Sequence, residues 1–345
     1  MARCRIVVTN RVHDEVISRL AQAHDVIANE SDCPWSTDEV VARARDADAI
    51  MAFMPDRITA DMLDACPKLR IIAGALKGYD NFDRTACTER GVWLTIVPDL
   101  LTDPTAELTV GMMIALGRNL LPGDRYVRSG EFAGWRPRFY GTGLAGSTIG
   151  IIGMGAVGRA VSQRISGFRA RLVYADRRGL SAVEEDEMGL QHLPINDLLK
   201  VSDFVVLALH LTAETLHFLN AETIGQMKPG AFLINPGRGS LVDEGAVADA
   251  LQSGELGGYA ADVFEMEDWA RSDRPPTIEN RLLQATDQTV FSPHLGSAVR
   301  QARLDIEMSA ATNILACLAG ERPPDAVNRP DTGSVTEKAT EDQNA

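Results

Sequence analysis

GIIGMGAVGRA, residues 150–160, decides how the rest of this chain is read. It contains G-x-G-x-x-G as Gly153, Gly155 and Gly158. The pattern alone is weak. Here it closes the apolar run STIGIIG (147–153) and opens the helical segment AVGRAVSQRI, which is the setting a dinucleotide-binding turn requires. Gly153 permits the tight turn, Gly155 lets the backbone approach a pyrophosphate, and Gly158 lets helix and strand pack closely. Ala156 and Val157 stand at the helix start, whose N–H groups would face phosphate. The next apolar run, RLVYAD (171–176), ends at Asp176. A carboxylate there accepts from a ribose hydroxyl and repels a 2′-phosphate, which points to NAD. Arg177 and Arg178 follow it, and a guanidinium beside that site can pair a 2′-phosphate. NAD is therefore expected to be preferred, with some use of NADP.

Working outward, strand and helix patterns alternate on both sides. After the glycine turn come FVVLALHL (204–211), AFLINPG (231–237), GGYAADVF (257–264) and TVFSPHLG (289–296), which with the two runs above predict six strands. Before it come CRIVVTN (4–10), DVIAN (25–29), AIMAFM (49–54), LRIIAGA (69–75) and WLTIV (93–97). Such alternation predicts an α/β fold with two doubly wound parallel sheets, each covered on both faces. TDPTAELTVGMMIALGRNLL (102–121) reads as one helix, apolar nearly all round and so buried, between domains or subunits. SAVRQARLDIEMSAATNILACLAG reads as a helix leading back to the first domain. Residues 329–345 are poor in apolar side chains, and a disordered tail is expected.

The bulk properties narrow the function. A formal charge of −14 over 345 residues disfavours nucleic acid and anionic membranes as partners. It also repels small anions, so a site for one needs local cations. Five scattered cysteines without a CxxC predict reduced thiols and a cytoplasmic setting, with no metal site. The start MARCRIVVTNRV lacks a signal-type apolar region, and no run approaches the roughly 20 residues of a membrane span.

In open α/β sheets, functional groups gather beyond the C-terminal strand ends. Met54, Lys77, Arg238, Asp262, Glu267 and His294 all sit at such ends. His294 is the natural acid–base, since histidine is the residue type whose unperturbed pKa lies near neutrality. Glu267 could fix its ring, and Arg238 could clamp an anion. The remaining histidines read as structural.

These residues carry a resemblance. GIIGMGAVG, NPGRGSLVDE, AADVFEMED and SPHLGSA together resemble the D-2-hydroxyacid dehydrogenase family, over nearly the whole chain to about residue 328. The resemblance implies a flavodoxin-like substrate domain (1–100 and 297–328) with a Rossmann NAD domain (101–296) inserted in it, and a homodimer. It implies cofactor contacts from Thr105, Pro236 and Asp262. Other segments, among them AFMPDR, ALKGYDNFD and GGYAADVFEMEDWARSDRP, are similar to the phosphite-oxidising branch of that family. Ordinary members place a proline soon after the acid (D-V-F-x-x-E-P) and a small or apolar residue where Lys77 stands. The branch implies NAD-dependent oxidation of phosphite to phosphate, a dianion with no carbon skeleton to grip. Arg238 and Lys77 would bind it from opposite domains, Gly78 would donate from its backbone, and Arg303 would add a third cation. Met54, Trp135 and Tyr140 would shape the pocket. His210 replaces a usual proline near the adenine end. The alternatives are a hydroxypyruvate or glyoxylate reductase and, in another class, an NAD-sensing interaction protein.

Overall fold

The structure is a computed structural model and describes residues 3–330. Most of the expected tail, from 331 on, lies outside the described residues. The chain divides into two compact units, one formed by residues up to Leu101 together with those from Val299, the other by Thr102–Ala298.

In the first unit, strands β1 (Arg5–Val8), β2 (Asp25–Ala28), β3 (Ala49–Ala52), β4 (Ile71–Gly74) and β5 (Trp93–Thr95) form a parallel sheet of order β2-β1-β3-β4-β5. Side chains alternate between its faces, as the pleat requires. Val7, Ile50 and Ala52 enter one core, with Leu63 and Phe82. Ile6, Val8 and Met51 enter the other, with Ile306, Ala310 and Ile314 of the helix Arg300–Leu318. The C-terminal helix returns because that second face of β1 and β3 is apolar and must be covered.

In the second unit, β6 (Thr148–Ile152), β7 (Arg171–Ala175), β8 (Leu190–His192), β9 (Phe204–Leu207), β10 (Ala231–Asn235), β11 (Leu256–Ala261) and β12 (Thr289–Phe291) form a parallel sheet. Its order is β12-β11-β10-β9-β6-β7-β8, so the winding direction reverses between β6 and β9. The glycine turn follows β6, at that reversal.

The two-sheet α/β expectation holds, with three local corrections. The second sheet has seven strands among the described residues, not six. The extra one, β8, is Leu-Gln-His with only Leu190 buried, too short and polar to show as an apolar run. The run 204–211 supplies only four strand residues, ending at Leu207. The helix expected over 102–121 stops at Gly117, and a second, Leu120–Arg128, starts after Asn119, whose φ is 51°. Gly117 explains the stop. Its carbonyl accepts from Thr142 N at 2.7 Å, and a Cβ there would lie 2.8 Å from Thr142 O and 2.9 Å from Phe204. The four-residue apolar spacing crosses the break and disguises it. Leu116 is buried, whereas Leu120 is 58% exposed. The first helix is buried within its own unit, where Met112, Met113 and Leu116 share a core with Ile149, Ile151 and Ile234.

Candidate active site

Each glycine of the turn meets a different constraint. Gly153 has φ +95°, where a side chain is strained, and its Cβ would lie 2.4 Å from Ala208 O. Gly158 faces the turn so closely that a Cβ would lie 2.1 Å from Gly153 O. Gly155, the N-cap of the helix Ala156–Ile165, has open space around it. The backbone is thus crowded on the protein side and clear where a pyrophosphate would approach the helix N-terminus, with Ala156 and Val157 half-buried in its first turn. These residues fit a dinucleotide.

Asp176 lies just beyond β7 and reaches back to this turn. Its Oδ2 accepts from Met154 N at 2.7 Å and its Oδ1 from Arg178 N at 3.1 Å. Burial pushes its pKa upward and is the largest single effect. Backbone N–H groups of Met154, Arg178 and Arg177, with the Arg177 charge, outweigh it and hold the carboxyl below its ordinary range. An anion is therefore fixed where a ribose would lie, with Arg177 beside it.

At the other strand ends, the loops after β10, β11 and β12 converge. His294 Nδ1 lies 2.8 Å from Glu267 Oε2. Glu267 Oε1 accepts from Phe264 N at 2.7 Å, so the acid is itself anchored. His294 sits at φ 56°, a backbone conformation that side chains rarely adopt. Asp262 helps hold it there. Its carbonyl accepts from His294 N at 2.8 Å, and its carboxylate accepts from Ser292 Oγ, Leu295 N and Gly296 N at 2.5, 2.6 and 2.8 Å. Burial raises the Asp262 pKa against those hydrogen bonds. Thr105 is buried alongside, since a Cβ on Gly296 would lie 3.0 Å from Thr105 Oγ1 and 3.2 Å from Asp262 Oδ2. Arg238 follows β10 and the buried Pro236, with its carbonyl held by Asn235 Nδ2 at 2.8 Å. Its neighbour Gly239 packs against the backbone of Phe264 and Glu265, where a Cβ would be 1.8 Å from a carbonyl carbon. One cluster of loops therefore presents Arg238, Asp262, Glu267 and His294, with Thr105 beside it in the first turn of the helix that begins at Thr102. Several supporting groups were not legible in the sequence, among them Ser292 and the Phe264 N–H, because they act through ordinary residues brought close only by folding.

The first unit holds the other candidates. Lys77 follows β4, is 28% exposed, and forms an ion pair with Asp99. Partial burial lowers its pKa. Met54 is half-buried against the core containing Ile50 and Ile72, and its carbonyl accepts from Asn81 Nδ2 at 3.0 Å. Gly78 is half-buried beside Lys77. Arg303 reaches Glu307 Oε1 at 3.4 Å and stands over the Phe53 ring at 5.8 Å. The buried Glu307 also takes the His13 ring at 2.8 Å.

A dinucleotide-type sheet with its glycine turn, and a His–Glu pair at neighbouring strand ends, define an NAD-binding α/β oxidoreductase. Comparison with known proteins agrees. Residues 110–296 match the model of the D-isomer specific 2-hydroxyacid dehydrogenase NAD binding domain. A glyoxylate reductase of Thermococcus onnurineus is 37% identical over 330 residues, covering 94% of this chain and 96% of that one. The crystal structure of a Thermus thermophilus protein superposes with a TM-score of 0.85 at 34% identity, over 94% of this chain and 99% of that chain. The chain belongs to the D-isomer specific 2-hydroxyacid dehydrogenase family. A Sinorhizobium meliloti NADPH-dependent glyoxylate/hydroxypyruvate reductase, solved with NADP and malonate, has a TM-score of 0.80 at 27% identity, over 98% of this chain and all of that one. No described helix is long and apolar enough to cross a membrane.

Proposed function

We propose that this chain transfers hydride between NAD and a compact anion, with His294 as acid–base, Glu267 orienting its ring, and Arg238 and Lys77 supplying positive charge to the anion. The observation that carries the reading is the 2.8 Å His294–Glu267 contact in a unit whose sheet also carries a dinucleotide turn. NAD supplies the hydride acceptor, or NADH the donor, at the nicotinamide ring. The protein residues do the rest. Glu267 fixes the imidazole through their 2.8 Å contact. His294 then gives a proton to a carbonyl oxygen being reduced, or takes one from an attacking water. Cationic side chains stabilise charge on the substrate oxygens.

Two substrates fit. The relatives support reduction of glyoxylate or a similar small 2-oxo acid, since the curated relative above carries that name at 37% identity. On this reading hydride passes to the carbonyl carbon and His294 protonates its oxygen. Comparisons back this alternative more strongly than phosphite. Phosphite oxidation is supported by residues the chain carries at two places. Lys77 places a partly desolvated ammonium in a glycine turn at a strand end. The segment after Glu267 has no early proline and instead folds back through Asp268 and Arg271. On that reading the P–H bond gives hydride to NAD, water oxygen becomes the fourth phosphate oxygen, and one water proton leaves through His294 while the other stays on the hydrogen phosphate product. Absorbance at the NADH band decides. Purified protein is given NAD with phosphite, and separately NADH with glyoxylate or hydroxypyruvate. Turnover in one arm selects that substrate. With phosphite, Lys77→Ala should raise KM roughly tenfold or more. No turnover in any arm would overturn the enzyme reading and favour an NAD-sensing role.

The same proposal includes a homodimer and a cytoplasmic setting. Exposed apolar side chains between Leu120 and Tyr140, including Val127, Phe132 and Trp135, support the first. Five free cysteines support the second. Sedimentation tests the dimer.

A further inference from the structure

We propose that Arg271 is a positioning residue that clasps the Arg238 loop to the Glu267 turn, and so sets the spacing between the anion-binding guanidinium and the His294–Glu267 pair. The inference rests on the hydride-transfer reading above.

The observations come from one buried polar network. Arg271 is 15% exposed, and its Nη1 donates both to Ser240 Oγ at 2.9 Å and to Glu265 Oε2 at 2.7 Å. Ser240 is fully buried two residues after Arg238. Its N–H donates to Asp268 Oδ2 at 2.6 Å. Glu265 begins the short turn that ends at Glu267. Thus one guanidinium, with Asp268 one residue past the acid, joins the two loops by side chain and by backbone. The Glu265 carboxylate also takes His217 Nε2 at 2.8 Å and Glu244 N at 3.2 Å. Glu244 in turn accepts from Glu265 N at 2.8 Å. Of the groups facing Glu265, Arg271 brings the permanent positive charge. On its outer side Arg271 is held by Asp273, with Nε and Nη2 at 3.2 Å from its two oxygens. Arg274 braces the same turn by donating to Met266 O at 2.9 Å, its guanidinium 4.0 Å from the Trp269 ring. Glycine at 239 makes the clasp possible, because any Cβ there would strike the Phe264 carbonyl.

Removing the clasp should let the two loops separate without touching the dinucleotide turn. A misplacement near 1 Å costs roughly 100-fold in rate. Arg271→Met should therefore lower kcat about that much, while NADH affinity by fluorescence stays within twofold. Guanidinium ion should restore part of the rate to Arg271→Ala. A second readout needs no substrate. The downfield proton resonance of the His294 Nδ1–H, assigned by its loss in His294→Ala, should shift or broaden in Arg271→Met. Ser240→Ala removes one end of the clasp with little volume change and should cost roughly fivefold in kcat, the worth of one hydrogen bond. Its effect should shrink in an Arg271→Met background. Wild-type kcat and an unmoved resonance in Arg271→Met would overturn the proposal. So would a lower melting temperature with equal losses in rate and NADH affinity, because that is a structural role alone. If Arg271→Met does not fold, Ser240→Ala and its resonance decide. Absence of turnover in the wild type would count against the hydride-transfer reading, while the resonance comparison would still judge the clasp.

Discussion

Alanine at Gly158 and alanine at Gly155 should fail in different ways, although both break the same glycine motif. At Gly158 the new Cβ would lie 2.1 Å from Gly153 O, about 0.9 Å short of the 3.0 Å that real Cβ contacts respect. The neighbour is backbone and cannot rotate away. Relief requires the helix Ala156–Ile165 to slide off β6, and that helix packs through Val161 and Ile165 into the core beside Ile149 and Ile151. Overpacking of this kind costs about 1–3 kcal/mol. In a unit of this size that is a melting temperature lower by about 3–10 °C. The N–H groups aimed at the phosphates move with the helix, so NADH should bind about tenfold more weakly. At Gly155 the Cβ meets nothing within 4 Å, and φ is an ordinary −74°. Gly155→Ala should therefore melt within about 1 °C of wild type. Its methyl group stands where the pyrophosphate must come close, so NADH affinity should fall about tenfold or more. Thermal melts of both variants, paired with NADH fluorescence titrations, separate the two effects. Wild-type melting for Gly158→Ala, or wild-type NADH affinity for Gly155→Ala, would refute this division of roles.

Glu267→Gln keeps the shape but removes the charge that faces His294 at 2.8 Å. The kcat should fall at least 10²-fold with NADH affinity unchanged, and steady-state rates against NADH titrations check this. Asp176→Ala deletes the acceptor held by Met154 N and Arg178 N, so kcat/KM for NAD over NADP should drop about tenfold or more; an unchanged ratio would leave Asp176 as a brace for the turn alone. Asp56 is a pH prediction. Burial pushes its pKa up to about 6, against hydrogen bonds from Thr9 Oγ1 and Phe53 N. A folded-state value above the unfolded one means the native protein holds the proton more tightly, so stability falls as pH rises from about 4 to 6 and then levels. The contribution is about 3 kcal/mol. Asp56→Asn should gain on wild type across that window, and urea unfolding at pH 4.5 and 7.5 would expose a wrong sign.

The clearest local signals lay in residues whose neighbours along the chain are also their neighbours in space. Apolar runs of strand length and the glycine turn are of this kind, because a strand end, a turn and a helix start are covalently continuous. From them came both parallel sheets and the placement of Asp176 beyond β7. Boundaries were less legible. The four-residue apolar period ran through Gly117 into Leu120, and only the contact with Thr142 and Phe204 shows why the helix must stop there. Strand β8 gave no signal, since it joins the sheet by backbone pairing to β7 rather than by an apolar run. For the candidate site, residue types and strand-end positions named Arg238, Glu267 and His294. Tertiary structure alone decided which atoms meet. The Nδ1 of His294 finds Glu267 across 27 positions of sequence, and Arg271 reaches Ser240 across 31. Such pairings depend on loops from different strands converging at one edge of the sheet, and on carboxylates that burial makes dependent on partners. Local pattern carries no record of either, because both arise only when the chain closes on itself.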